Sequence, residues 1–297
     1  MDYRDHPALP AMMGTYPKTD ALKAKALTSD LFTLDYGPVD VAQKAFKAVV
    51  RDLKYDVAEL AIVTFLQAFA QGRPYVLLPF VMNGGFHHKS ILCREDSPLT
   101  PHDLAGRRIG GRAYTQTTPT WVRGILMDDY GLKLDSVEWL SQEEAHVSGY
   151  ENPPWVRQMD SALSLEQMLI AGEVDAVMGG QLAGDARVRS LIPDAKQAAL
   201  DWYARHKVVP INHMIAVRRE LAEQRPDIVR ALFGMLRESR RLGEGAPVED
   251  AIDLLPSGFD AVRPGVEMIM RFALEQALIP RAYAFEDLFG PVIKALA

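Results

Sequence analysis

Arg107-Arg108-Ile109-Gly110-Gly111, then Thr117-Thr118-Pro119-Thr120-Trp121-Val122-Arg123-Gly124-Ile125-Leu126, closed by Gly131, is the stretch that decides the fold. The first five residues read as a short strand ending in two glycines. The second run reads as the best-punctuated helix of the chain. Thr117 or Thr118 can cap it, Pro119 sits in the first turn where its missing N–H is no loss, and Gly131 follows its end. Val122, Ile125 and Leu126 supply an apolar face. Strand, glycine turn and capped helix together form a repeating unit of an α/β sheet.

The same alternation continues on both sides of this stretch. Upstream, strands are expected at residues 9–16, 55–60, 75–81 and 89–93. Helices are expected at 21–27, capped by Thr19 or Asp20, at 40–53 with Val41, Ala45, Phe46, Val49 and Val50 on one face, and at 62–70. Downstream come strands at 136–140 and 174–178, a helix at 165–171 stopped by Gly172, and a Pro/Gly-bearing loop at 142–154. A strand at 208–217 is followed by helices at 226–242, 248–255, 266–276 and 285–296. Composition changes near residue 96, at Ser97-Pro98-Leu99-Thr100-Pro101. The pattern therefore implies two lobes, one of residues 1–95 and 209–297 and one of 96–208. Two crossing segments form a hinge, and a ligand cleft is expected between the lobes.

Composition sets the function class more loosely. The 297 residues are 48% hydrophobic and carry 33 Lys plus Arg against 39 Asp plus Glu, a net charge of −6. Such a chain has ample core and is a poor electrostatic match for nucleic acid. The single Cys93 excludes an intrachain disulfide framework and multi-cysteine metal sites. No apolar run approaches the ~20 residues of a membrane span. The first residues, Met-Asp-Tyr-Arg-Asp-His-Pro, lack the pattern of a secretory signal, so a cytoplasmic location is expected. Gly84-Gly85 and Gly110-Gly111 lack phosphate-loop spacing, and neither a zinc His-Glu-x-x-His nor a Gly-x-Ser-x-Gly elbow occurs. No metal site is expected, and the sequence requires no cofactor.

Among seven histidines, His6, His102, His146 and His206 fall in polar or terminal segments. His87, His88 and His213 remain as acid–base candidates. Neighbours on a strand face opposite ways, so only one of His87 and His88 is expected to enter a pocket. The competing role for His88 is a structural strand end, and for His213 a satisfied core histidine. Arg123 is the best carboxylate-binding cation, the competing role being a surface pair with Asp128. Gln116, Thr117 and Thr118 lie at a helix start, which favours anions. Tyr114 and Trp121 can stack on an aromatic ring, though Trp121 also fits a core position. Glu59 reads as an acid or as an ion-pair partner.

These residues carry a resemblance. Leu104-Ala105-Gly106-Arg107-Arg108-Ile109-Gly110 and Ser164 to Ala176 resemble second-lobe elements of the type II periplasmic-binding-protein fold. Tyr114, Thr117, Trp121, Arg123, Gly124, Ile125, Leu126, Tyr130 and Gly131 fall on a block resembling the 4,5-dihydroxyphthalate decarboxylase family. Tyr16, Thr19, Ala21 and Leu22, then Asp56-Val57-Ala58-Glu59, Phe86-His87-His88 and Pro210-Ile211-Asn212-His213, fit further family blocks across roughly residues 10–220. The sequence departs from the family at Thr115, which separates Tyr114 from Gln116, at His87 in place of arginine, and at Leu60–Thr64, where a serine is usual.

The resemblance implies a two-lobed α/β carboxy-lyase of the kind used in phthalate degradation. It would decarboxylate a hydroxylated aromatic acid without oxidation. Arg123 and the helix start would hold the carboxylate, and His88 or His213 would donate a proton. By family position, Tyr16 and Thr64 would form first-lobe walls. The expected partner is a small aromatic or organic acid, with a homo-oligomer left open. The alternative is a non-catalytic solute-binding protein for an organic acid; a menaquinone- or thiamine-precursor enzyme on this fold fits the Trp-x-Arg-Gly block less well.

Overall fold

A computed structural model describes residues 3–179, 184–245 and 251–296. The chain divides into two compact units: Met1–Gly84, Ile211–Glu267 and Ala282–Ala297 form one, and Gly85–Pro210 with Met268–Arg281 form the other. The composition change near residue 96 predicts a first boundary at 95/96 and leaves 268–281 with the first lobe. Strand pairing moves the boundary, because residues 91–94 hydrogen-bond into the second unit's sheet.

In chain order the first unit begins with β1 (Ala8–Met12), α1 (Pro17–Lys23), β2 (Thr33–Tyr36), α2 (Phe46–Val50), β3 (Val57–Ala61), α3 (Ile62–Ala70) and β4 (Tyr75–Gly84). The second unit contains β5 (Ile91–Arg94), β6 (Arg108–Gly111), α4 (Thr117–Tyr130), β7 (Glu138–Ser141), β8 (Val156–Gln158), α5 (Leu165–Ala171), β9 (Ala176–Met178), β10 (Val188–Ser190) and α6 (Ala195–His206). The chain then forms β11 (Ile211–Arg218), α7 (Arg219–Gln224), α8 (Pro226–Glu244), α9 (Phe259–Glu275), α10 (Phe285–Phe289) and α11 (Pro291–Leu296).

The first unit's sheet runs β2-β1-β3-β11-β4. β1 is parallel to β2 and β3, and β11 is antiparallel to both of its neighbours. All five residues of β3 are buried, as expected of a central strand covered on both faces. Leu9, Val57, Leu78, Ile215, Leu232 and Leu236 belong to its core. The second unit's sheet runs β10-β5-β9-β6-β7-β8, with Leu140, Leu169 and Val177 packed together on it. No helix among the described residues is long and apolar enough to cross a membrane.

Several expected elements shift. The helix after β1 starts at Pro17, so Tyr16 is its N-cap and Thr19 lies in its first turn. The amphipathic run at 40–53 shortens to a 3₁₀ turn and α2, and Val41 is 46% exposed rather than on the apolar face. Gln116, not a threonine, is the N-cap of α4, while Gly131 ends it at φ 65°. The strand expected from 89 begins at Ile91, and His88 lies in a 3₁₀ turn, His88–Ser90. Of the helix expected at 248–255, residues 248–250 lie outside the described residues, and 251–255 are not helical. α6 is a further helix, beyond those expected from the sequence.

Candidate functional site

The first unit gathers one polar cluster where β1 and β3 end. Residues 57, 59 and 61 of β3 share one face. Glu59 lies opposite Ile215 on β11, and His213 opposite Ala61, so Glu59 and His213 are diagonal neighbours on that face. His213 Nδ1 and Glu59 Oε1 are 2.6 Å apart, with both side chains buried. The pairing of β11 with β4 shifts register on either side of His213, an irregularity of the kind that re-aims a side chain. Phe46 packs edge-on against the imidazole at 5.3 Å.

Two more donors reach Glu59. The Tyr16 hydroxyl donates to Oε1 at 3.1 Å and the Gly14 N–H to Oε2 at 2.9 Å. Burial pushes the Glu59 carboxyl up, but the hydrogen bond and charge of His213, with the Gly14 and Tyr16 donors, outweigh it and hold the group below the usual carboxylate range. Tyr16 is pushed up by burial and by the adjacent Glu59 charge. A Cβ at Gly14 would lie 2.3 Å from the Tyr16 hydroxyl oxygen, so glycine is what lets the ring reach Glu59. Thr19 Oγ1 accepts from the Tyr16 N–H at 3.0 Å and donates to the Gly14 carbonyl at 2.8 Å, fixing the turn. Thr64 is buried in the first turn of α3, directly after β3.

The second unit places Tyr114, Thr115, Gln116, Thr117 and Thr118 between β6 and α4. Gln116 makes no side-chain cap, and the helix it opens presents the positive end of its dipole there. Arg123 is not on the surface. It is 0% exposed, its Nε donates to Gln276 Oε1 at 2.7 Å, and its Nη2 donates to the Tyr114 carbonyl at 2.6 Å. Its guanidinium carbon lies 3.9 Å from the centre of the Tyr114 ring. Asp128, the partner in the competing reading of Arg123, pairs instead with Arg271 at 2.6 Å. Gln276 also donates to the Thr120 carbonyl at 2.9 Å, and its own carbonyl accepts from the Tyr114 hydroxyl at 3.2 Å. Nothing in the local sequence marked Gln276, because its partners lie more than 150 residues away.

Trp121 is fully buried against Phe272 at 5.6 Å and Trp202 at 6.4 Å, a core position. His88 is buried against Trp202 at 6.0 Å, and neither ring nitrogen has a hydrogen-bond partner. Burial lowers its pKa from 6.5 to about 4, so the ring is neutral at neutral pH. Of His88 and His213, the two assigned to proton donation by resemblance, His213 is the one with a carboxylate partner. Among the described residues, no group of three His, Cys, Asp or Glu side chains is placed to hold a metal ion.

No family model matches the chain. The sequence is 31% identical over 218 residues to 4,5-dihydroxyphthalate decarboxylase of Comamonas testosteroni, covering 67% of this chain and 64% of that one. It is 32% identical over 181 residues to the enzyme of the same name from Pseudomonas putida, covering 54% and 68%. The chain thus matches slightly under two thirds of the length of the Comamonas protein. Among solved structures, the periplasmic aliphatic sulphonate binding protein SsuA from Escherichia coli superposes with a TM-score of 0.61 at 13% identity, covering 96% of this chain and 91% of that one. The desulfurization enzyme DSZB gives 0.54 at 16% identity, covering 98% and 99%. At these identities the structures establish the fold, the two-lobed α/β architecture of periplasmic binding proteins that the sequence implied. The fold serves binders and enzymes alike, so kinship comes from the two sequence relatives, and by that measure the chain belongs to the 4,5-dihydroxyphthalate decarboxylase family.

Proposed function

We propose that the chain is a carboxy-lyase that decarboxylates a hydroxylated, phthalate-like aromatic acid without oxidation. The observation that carries the chemical assignment is the buried Glu59–His213 pair; the two decarboxylase relatives support the reaction class. Glu59, kept ionised, accepts the Nδ1–H of His213 and fixes the ring's tautomer and orientation, which turns Nε2 the other way. In its protonated form His213 donates from Nε2 to the ring carbon bearing the carboxylate, while a ring hydroxyl ortho or para to that carbon supplies electron density. The carbon–carbon bond breaks, its electron pair returns to the ring, and carbon dioxide leaves. Water then reprotonates the imidazole, so one proton is taken up per turnover and no external oxidant or reductant is consumed.

Carboxylate binding is assigned to the start of α4, with Gln116, Thr117 and Thr118 as donors. Arg123 acts from within the second unit. It holds the Tyr114 carbonyl and lies against its ring, and so sets the tyrosine as a wall for the substrate. Tyr16 and Thr64 take the same role in the first unit. His88 is assigned to packing rather than proton transfer.

The test is turnover of purified protein with 4,5-dihydroxyphthalate and a panel of hydroxybenzoates, following carbon dioxide and product. Saturable release that falls about 10²–10⁴-fold in His213→Asn, with the fold intact by circular dichroism, is expected. Full activity in His213→Asn refutes the proton-donor assignment. The likeness in fold to a sulphonate-binding protein favours one second reading, a binder of organic acids. It predicts a ligand-induced rise in melting temperature with no release from any substrate.

A further inference from the structure

Arg123 is a buried cation without a counter-charge. No carboxylate lies within ion-pair distance of it among the described residues, and the nearest candidate in sequence, Asp128, is engaged by Arg271. Two of its nitrogens donate to neutral acceptors: Nε to Gln276, and Nη2 to the Tyr114 carbonyl and, at 3.4 Å, to Thr120 Oγ1. Its third nitrogen, Nη1, is buried and donates to nothing.

The guanidinium forms part of the wall of a cavity of about 10 Å³, together with Gly111, Ala113, Tyr114, Trp139 and Met178.

Arginine cannot shed its proton, and a buried unpaired charge is costly. The faces of Tyr114 and Trp139, at 3.9 and 5.5 Å, offset part of that cost. A water in the cavity would satisfy the N–H and leave the charge uncompensated. An anion satisfies both. The cavity has room for about one water-sized ligand, which excludes an aromatic acid with its ring attached.

We propose that the second unit binds one monatomic anion of the halide class in this cavity, with Arg123 Nη1 as the charged donor. The proposal is independent of the decarboxylase reading. The anion is a counter-ion that holds Arg123 in place against the Tyr114 ring.

The experiment compares melting of the full chain in potassium chloride and potassium gluconate at equal ionic strength. Chloride should raise the wild-type melting temperature by a few degrees and saturate, as a ligand specific to the folded state does. Arg123→Met should abolish the dependence. Should Arg123→Met fail to fold, wild-type crystals soaked in bromide decide the matter independently, with one anomalous peak expected within hydrogen-bond reach of Nη1. Equal melting in the two salts with no bromide peak at Nη1 overturns the proposal. A response to benzoate but not to halide also overturns it, and assigns the cation to an organic carboxylate instead.

Discussion

A carboxylate in the middle of a wholly buried strand is costly unless donors meet it, and at Glu59 three do. Replacing it with glutamine keeps the shape and removes the charge that orients His213, so Glu59→Gln should lower kcat by about 10²-fold or more and change KM little. The same variant tests linkage. Folded Glu59 binds its proton less tightly than the unfolded chain does, so its contribution is complete above the ordinary carboxylate range and is lost as pH falls through the depressed folded value. Glu59→Gln should therefore flatten the acid limb of the stability curve below that range. His88 gives a second limb in a different window. The folded form protonates at about 4 and the free imidazole at 6.5, so between these values the unfolded chain binds more protons and stability falls on acidification. His88→Phe should remove up to about 2 kcal/mol of that dependence, read from urea unfolding at pH 7 and pH 5. The residue types at the site were legible in the sequence, since a histidine and a glutamate each announce acid–base capacity. Their partnership was not, because it spans 154 positions and depends on strand register.

Helices were read best where glycine and proline punctuate them. α5 matches expectation in both limits, with Ser164 Oγ accepting from the Gln167 N–H at 3.2 Å at one end and Gly172 at φ 75° at the other. α6 escaped because only Ala199 and Trp202 are buried, too few to trace an apolar stripe. Close approach between elements was equally invisible. A Cβ on Gly124 of α4 would lie 2.3 Å from the ring of Phe272 on α9. Gly124→Ala should destabilise the protein by about 1–3 kcal/mol, measured as a lower urea midpoint at unchanged m-value. In the first unit, a Cβ on Gly243 of α8 would come within 1.9 Å of the Pro17 carbonyl oxygen of α1. Backbone cannot yield as a side chain can, so Gly243→Ala should cost at least as much.

At the scale of the molecule, the alternation of elements revealed an α/β chain that leaves one unit and returns to it. The later crossing was missed, since nothing in the helical pattern of residues 259–275 shows that its last turns change allegiance at 267/268. That segment supplies Phe272 to Trp121, Arg271 to Asp128 and Gln276 to Arg123. A fragment of residues 85–210 alone should therefore lack fixed side-chain packing, visible as lost near-ultraviolet circular dichroism with far-ultraviolet signal retained. Adding residues 268–281 through a flexible linker should restore it. A sharply packed 85–210 fragment would show that the returning segment is dispensable. The same arrangement sets a schedule for synthesis in the cell. As the chain leaves the ribosome, the middle unit waits, with Arg123 and Trp121 uncovered, until residue 281 has emerged, so its aggregation-prone interval lasts while 71 residues beyond Pro210 are made.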